Sequence, residues 1–184
     1  MVSPATGRLA SAAALAAALA FAGCGYTTKS LLPENIKNIH VAPVRNAIDL
    51  SGEISHEDTF RVYRPGVEVD ITNAVINRFI FDGNLKITGP EKADAIVESK
   101  LVDYRRDPLR YTKGDDVQEY RLNVVIDCAV YQMPDRKVIW HETRLTGDTT
   151  FFLSGPRAVS EDEAVTRAVE DLARRVVEKT VEIW

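Results

Sequence analysis

One thiol stands where its surroundings give it chemistry to do. Cys24 follows Phe21-Ala22-Gly23, and from Leu9 to Ala22 the chain is almost all Ala and Leu, with one Ser, one Phe and no charge. Small residues before a Cys let the backbone enter a peptidase cleft, and the thiol is an acceptor for a diacylglyceryl group. The remaining groups able to do chemistry are scattered. His40, His56 and His141 lack a second His or Cys at metal-ligand spacing. Asp115-Asp116 has the composition of a general acid and base pair, but beside Gly114 in a polar stretch it reads as a solvated turn. No nucleophile elbow, zinc-protease helix, phosphate loop or dinucleotide-binding glycine run is present. The expectation is therefore no enzyme, no metal and no cofactor, and a binding or assembly module instead.

The leader supports the reading of Cys24. Its apolar run has the length of a signal-peptide core and is short for the roughly 30 Å of a bilayer, and Arg8 supplies a positive flank. The junction resembles the lipobox of bacterial lipoproteins, with Phe21 where that pattern usually has Leu. Residues 1–23 are read as a signal peptide, 24–35 as the lipidated Cys and a polar tether, and 36–184 as a single domain. Lys and Arg total 23 and Asp and Glu 27. Loss of the leader removes only Arg8, so the mature chain is more acidic still, which argues against nucleic acid as a partner. With Cys24 acylated, Cys128 has no disulfide partner within the chain and reads as a small buried hydrophobe. After the leader no run approaches the length of a membrane-spanning helix.

Two stretches suggest binding. Tyr104-Arg105-Arg106-Asp107-Pro108-Leu109-Arg110-Tyr111-Thr112-Lys113 gathers four cations and two tyrosines in an acidic protein. It reads as a loop between strands, with Arg105, Arg106, Arg110 and Lys113 as a candidate anion patch. Phe151-Phe152-Leu153 precedes Ser154-Gly155-Pro156 and is a candidate partner surface, with strand completion into the core as the alternative.

The elements that must position these residues follow from periodicity. Ile36 to Val44 reads as a first strand. Residues 46–66 are irregular and long for a connection. Val67, Ile71, Ala74, Val75 and Phe79 recur at helical spacing, with Glu68 and Asp70 at the favourable end and Gly83 as the stop. Short strands follow at Leu85 to Thr88 and Ala93 to Tyr104. Tyr120, Leu122, Val124, Ile126, Cys128 and Val130 alternate, predicting a strand, and Met133 to Arg136 turns it into a partner from Val138 to about Thr150. Ser160 and Glu163 form a capping box ahead of a helix that carries Val165, Val169, Leu172 and Val176 on one side. The expected class is α+β, with two helices on one face of a small mixed or antiparallel sheet of about four to five strands.

Taken in order, several motifs resemble one family. Gly23-Cys24-Gly25-Tyr26, Leu32-Pro33 and Ile36 to Asn46 look like the opening of the LptE family of lipopolysaccharide-assembly lipoproteins. Glu68 to Phe79 with Asp82-Gly83-Asn84-Leu85 is similar to its first helix and turn. Ala93-Asp94-Ala95-Ile96-Val97, Glu119-Tyr120-Arg121-Leu122 and the closing helix from Glu163 to Trp184 fit as well. The resemblance implies two helices on a small sheet and a palmitate-bearing lipoprotein of the outer membrane facing the periplasm. It also implies an LptD-type β-barrel as the partner to be plugged, and lipopolysaccharide met through basic residues. A lipid-anchored periplasmic binding protein for another envelope ligand is the alternative. Gly25, where Asp commonly signals inner-membrane retention, favours outer-membrane sorting.

Overall fold

The computed structural model describes residues 35–48 and 64–182. The leader, Cys24 and its tether therefore lie outside the described residues, as does most of the irregular 46–66 segment. Among the described residues there are six strands and two long helices. Strands β1 (Asn38–Val41) and β2 (Arg45–Asn46) precede helix α1 (Val67–Asp82). Then come β3 (Lys86–Ile87), a 3-10 turn at Pro90–Lys92, the long strands β4 (Ala95–Tyr111), β5 (Val117–Gln132) and β6 (Lys137–Phe152), and helix α2 (Glu161–Val181).

The sheet runs β3-β1-β4-β5-β6, with β2 also beside β4. β1 is parallel to β3 and β4, whereas β4, β5 and β6 form antiparallel hairpins. Because β1 and β2 pair only with Ala95–Val97 and Lys100–Leu101, the outer half of β4 has no strand on that side among the described residues. This mixed sheet under two helices is the α+β arrangement expected from the sequence.

Period-two alternation decides which residues meet the helices. Val97, Val130 and Trp140 lie side by side on one face, as do Leu101, Ile126 and Leu145, and Tyr104, Val124 and Gly147. Ile71, Val75 and Phe79 of α1 and Ala168, Leu172 and Val176 of α2 complete that core. Each large aliphatic side chain so buried contributes roughly 1.5–3 kcal/mol. Cys128 belongs to this layer. Burial pushes its thiol up to about 11, although the Ser99 hydroxyl 3.2 Å away opposes the shift.

Local signals at the helix ends operate as the sequence predicts. Ser160 Oγ accepts from the Glu163 N–H at 3.1 Å, and Gly83 ends α1 in the left-handed region at φ 76°. At Gly147 a Cβ would stand 2.4 Å from the Ala168 carbonyl oxygen and 2.5 Å from Leu172 Cβ, so only glycine lets α2 lie this close to β6. Asp94 ties the start of β1 to β4. Its Oδ2 accepts from the backbone N–H of Lys37 (3.0 Å) and Asn38 (2.8 Å) and from the Asn38 side chain (2.9 Å).

The structure corrects one local expectation. Tyr104 to Tyr111 is not a loop but the outer half of β4, which continues to Tyr111 before turning at Thr112–Asp116. Asp107, Pro108 and the arginines mask a strand whose register slips at Leu101/Asp103 and again at Pro108/Arg110. These bulges break the alternation that a strand would otherwise show in sequence.

Candidate functional site

The three long strands project one end of the sheet outward, and both stretches singled out in the sequence reach it. Strand pleating sorts the four cations. Arg105 faces away from the helices, where it bonds Asp103 at 2.8 Å and Asp107 at 3.2 Å, and Asn123 adds a 2.7 Å bond to Asp107. Burial opposes the Arg105 charge, but its bonds to Asp107 and Asp103 more than offset this and raise its pKa. Arg106 faces the helix side. It bonds Glu161 at 2.8 Å and lies 5.8 Å from the Tyr120 ring centroid. The Tyr104 hydroxyl donates to the same carboxylate at 3.2 Å. Burial first, and then the Glu161 charge, push the Tyr104 hydroxyl well above its ordinary value. Neighbours on a strand thus point in opposite directions, and Arg105 and Arg106 do not belong to one patch.

Farther out the arrangement changes. The Arg110 guanidinium lies 5.8 Å from the Phe152 ring centroid, and so does that of Arg157. Arg110 also approaches Glu119 at 3.5 Å. Lys113 is exposed in the β4–β5 turn, beside Asp115 and Asp116. Leu109, Tyr111 and Leu153 are exposed at the same end, Leu153 at 51%. The loop after β6 folds back through a bridge between Phe152 and Ala158, and this brings Arg157 into place. Sequence reasoning missed Arg157; its only sequence signal was its position just after Gly155-Pro156.

The apolar triplet divides as well. Phe151 is 2% exposed and packs 5.9 Å from Tyr120, ring centroid to centroid, so it completes the core and offers nothing to a partner. Phe152 is half-buried and Leu153 is outside. One end of the sheet therefore combines guanidinium groups over an aromatic face with exposed apolar side chains. That is chemistry suited to an anionic amphiphile: charge-assisted bonds for phosphate and apolar contact for acyl chains.

Concave regions also lie elsewhere among the described residues. A cleft of about 600 Å³ between the outer faces of α1 and α2 is lined by Arg64, Asn77, Arg78, Asp162 and Glu170. A groove of about 500 Å³ on the open sheet face is lined by Arg45, Lys100, Asp127, Tyr131 and His141. Both mix charges of either sign. No group of His, Cys, Asp and Glu among the described residues is placed to hold a metal ion, and none of their helices is long and apolar enough to cross a membrane.

Comparison with known proteins bears on this architecture. No curated protein sequence matches the chain. A solved protein from Xanthomonas campestris is 13% identical over 82% of this chain and 89% of its own, with a TM-score of 0.52. Rare lipoprotein B from Shewanella oneidensis is 13% identical over 78% of this chain and 91% of its own, with a TM-score of 0.43. At 13% identity the likeness to the Xanthomonas protein is one of fold alone. A family model described as "LptE: Lipopolysaccharide-assembly" matches residues 36–180, a span that takes in every described strand and both described helices but for Val181. The chain belongs to the LptE family of lipopolysaccharide-assembly proteins.

Proposed function

We propose that this protein is a lipid-anchored outer-membrane subunit on the periplasmic side. Acylated Cys24 holds it there, and it plugs the lumen of an LptD-type β-barrel and assists lipopolysaccharide to the outer leaflet. The family match over residues 36–180 carries this reading. The lipobox-like junction before Cys24 supports the anchor. The projecting sheet end supports contact with lipopolysaccharide, whose phosphates and acyl chains call for the cations and apolar groups found together there. Of the four cations first marked by sequence, exposed Lys113 and Arg110, the latter only loosely paired with Glu119 at 3.5 Å, remain for this role, now with Arg157, Phe152 and Leu153. Arg105 and Arg106 are engaged by carboxylates and serve the frame.

Pull-down of the tagged protein from solubilised membranes tests the partner. Recovery of an LptD-type barrel is expected; recovery of lipopolysaccharide, or of another envelope ligand, without any barrel would overturn the plug assignment. Surface plasmon resonance tests the ligand contact. Replacing Arg110, Lys113 and Arg157 with Ser should weaken lipopolysaccharide binding roughly tenfold at low salt and less at high salt. The double change Arg105→Ser with Arg106→Ser should act on stability instead. Equal loss of binding from both variants at unchanged stability would sink the division.

A further inference from the structure

The end of the molecule opposite the projecting strands has a surface of its own. Helix α1 delivers Ile80 (62% exposed) and Phe81 (80% exposed) there in its last turn. The two are consecutive, so they expose large apolar side chains close together. The Arg78 guanidinium lies 5.4 Å from the Phe81 ring centroid, and its buried Nε has no hydrogen-bond partner among the described residues. At the same end Arg136 lies 4.6 Å from the Tyr131 ring centroid, on the turn whose Met133 N–H donates to the Asp94 carbonyl. Exposed Lys37, Lys86 and Lys92 adjoin through the β1–β3 pairing and the Asp94 clamp, with exposed Glu91 and Asp135 among them and Arg136 paired to Glu98 at 3.1 Å. Aromatic rings with cations beside them, flanked by lysines, are what a bilayer's headgroup zone accepts.

This is also the end at which the chain emerges from its tether. Ile36 is buried in the core and β1 starts at Asn38, beside Lys86. Cys24 to Asn35 is eleven residue steps, at most about 36–40 Å of extended chain and nearer 18 Å as a coil. Strand β4 has 17 residues, so its outer end lies about 55 Å farther on. An anchor at Cys24 therefore holds the Ile80–Phe81 end within reach of the lipid while the projecting end points away from it.

We infer that, while the protein is not yet held in a barrel, the end bearing Ile80, Phe81 and Arg78 seats on the lipid surface that holds the Cys24 acyl chains. This rests on the anchor proposed above. The occupant is the bilayer itself, because the tether gives it a high effective concentration at this end and no other.

The test uses the lipidated mature protein in vesicles of phosphatidylethanolamine and phosphatidylglycerol. Cys128 is buried with a raised thiol pKa, so a nitroxide reagent at neutral pH labels only an introduced Cys. A label at exposed Asn84→Cys, next to Phe81, should collide several-fold less with a water-soluble nickel chelate, and more with oxygen, than one at Asp116→Cys in the far turn. Adding Ile80→Ser and Phe81→Ser should return the Asn84 label to the aqueous value while circular dichroism stays unchanged. Equal aqueous exposure of the two labels, or no response to the double serine change, overturns the inference. Flotation of the wild-type protein with the vesicles is read first. Protein left in the aqueous fraction would refute the anchor and with it the seating, whereas floating protein with an aqueous Asn84 label would refute the seating alone.

Discussion

At single residues the structure separates side chains that composition groups together. Phe151 and Leu153 lie two apart, yet one is core and the other solvent-facing. Phe151→Ala should therefore cost about 3–5 kcal/mol in urea unfolding, whereas Leu153→Ser should stay within about 0.5 kcal/mol. Arg105 and Arg106 could be told apart from sequence only once the segment was known to be a strand, and Asp107 and Pro108 concealed that. The Ser160 and Glu163 capping box was legible because helix ends use few residue types at fixed spacing; Ser160→Ala should cost about 1 kcal/mol. Carboxylates set the acid limit. The Asp94 pKa is lowered chiefly by the backbone N–H groups of Lys37 and Asn38. At Asp171 burial acts upward, but bonds from Arg174, the Asp148 N–H and Arg175 outweigh it, and its pKa is lowered too. A depressed folded-state pKa contributes stability above the unfolded value near 3.9 and loses it as pH falls through the folded one. The urea midpoint should be flat from about pH 5 to 7 and fall below about pH 4. In Asp94→Ala the fall should be shallower, from a lower plateau.

Among the elements, the junction of β6 with α2 leaves the least room. Gly147→Ala must separate strand from helix against the Ala168 carbonyl and Leu172, so a loss of about 1–3 kcal/mol or more is expected. A thermal melt would show it, and an unchanged melting temperature would mean that the two elements slide apart freely. Nothing in the sequence announced this contact, since a glycine in an alternating strand marks a close approach without naming its partner. The helices themselves were legible, α1 to within a residue, because their apolar stripes are long and regular. β1 to β3 were harder. Two of them are only two residues long, and such strands are defined by partners distant in sequence.

For the whole molecule, strand order ranks the stability of its parts. β5 is paired along both edges and buried under α2, so its central amides should exchange slowest with deuterium. β2 and β3, each two residues on the margin, should exchange fastest. Comparable protection across all six strands would contradict this order. The chain also has distinct ends. Both helices run from the projecting end toward the end where the tether emerges, as the Arg64–Asp162 pair near their starts and the Trp140–Thr180 bond near the close of α2 indicate. That polarity could not be read from motifs, which fix what each segment is but not which segments share an end.

The half-bare edge of β4 bears on solubility. Beyond Leu101 the strand lacks a neighbour on one side among the described residues, and an open row of backbone donors and acceptors invites a second copy to add its own strand. Pro108 brings no backbone donor, and register shifts at Leu101/Asp103, Pro108/Arg110 and Arg110/Tyr111 bend the ribbon; proline and bulges are both recognised deterrents to edge-to-edge growth. The residues that hid this strand in the sequence therefore help keep the protein from polymerising. Pro108→Val should fold with the same circular dichroism but show concentration-dependent oligomers in sedimentation velocity, where the wild type stays monomeric.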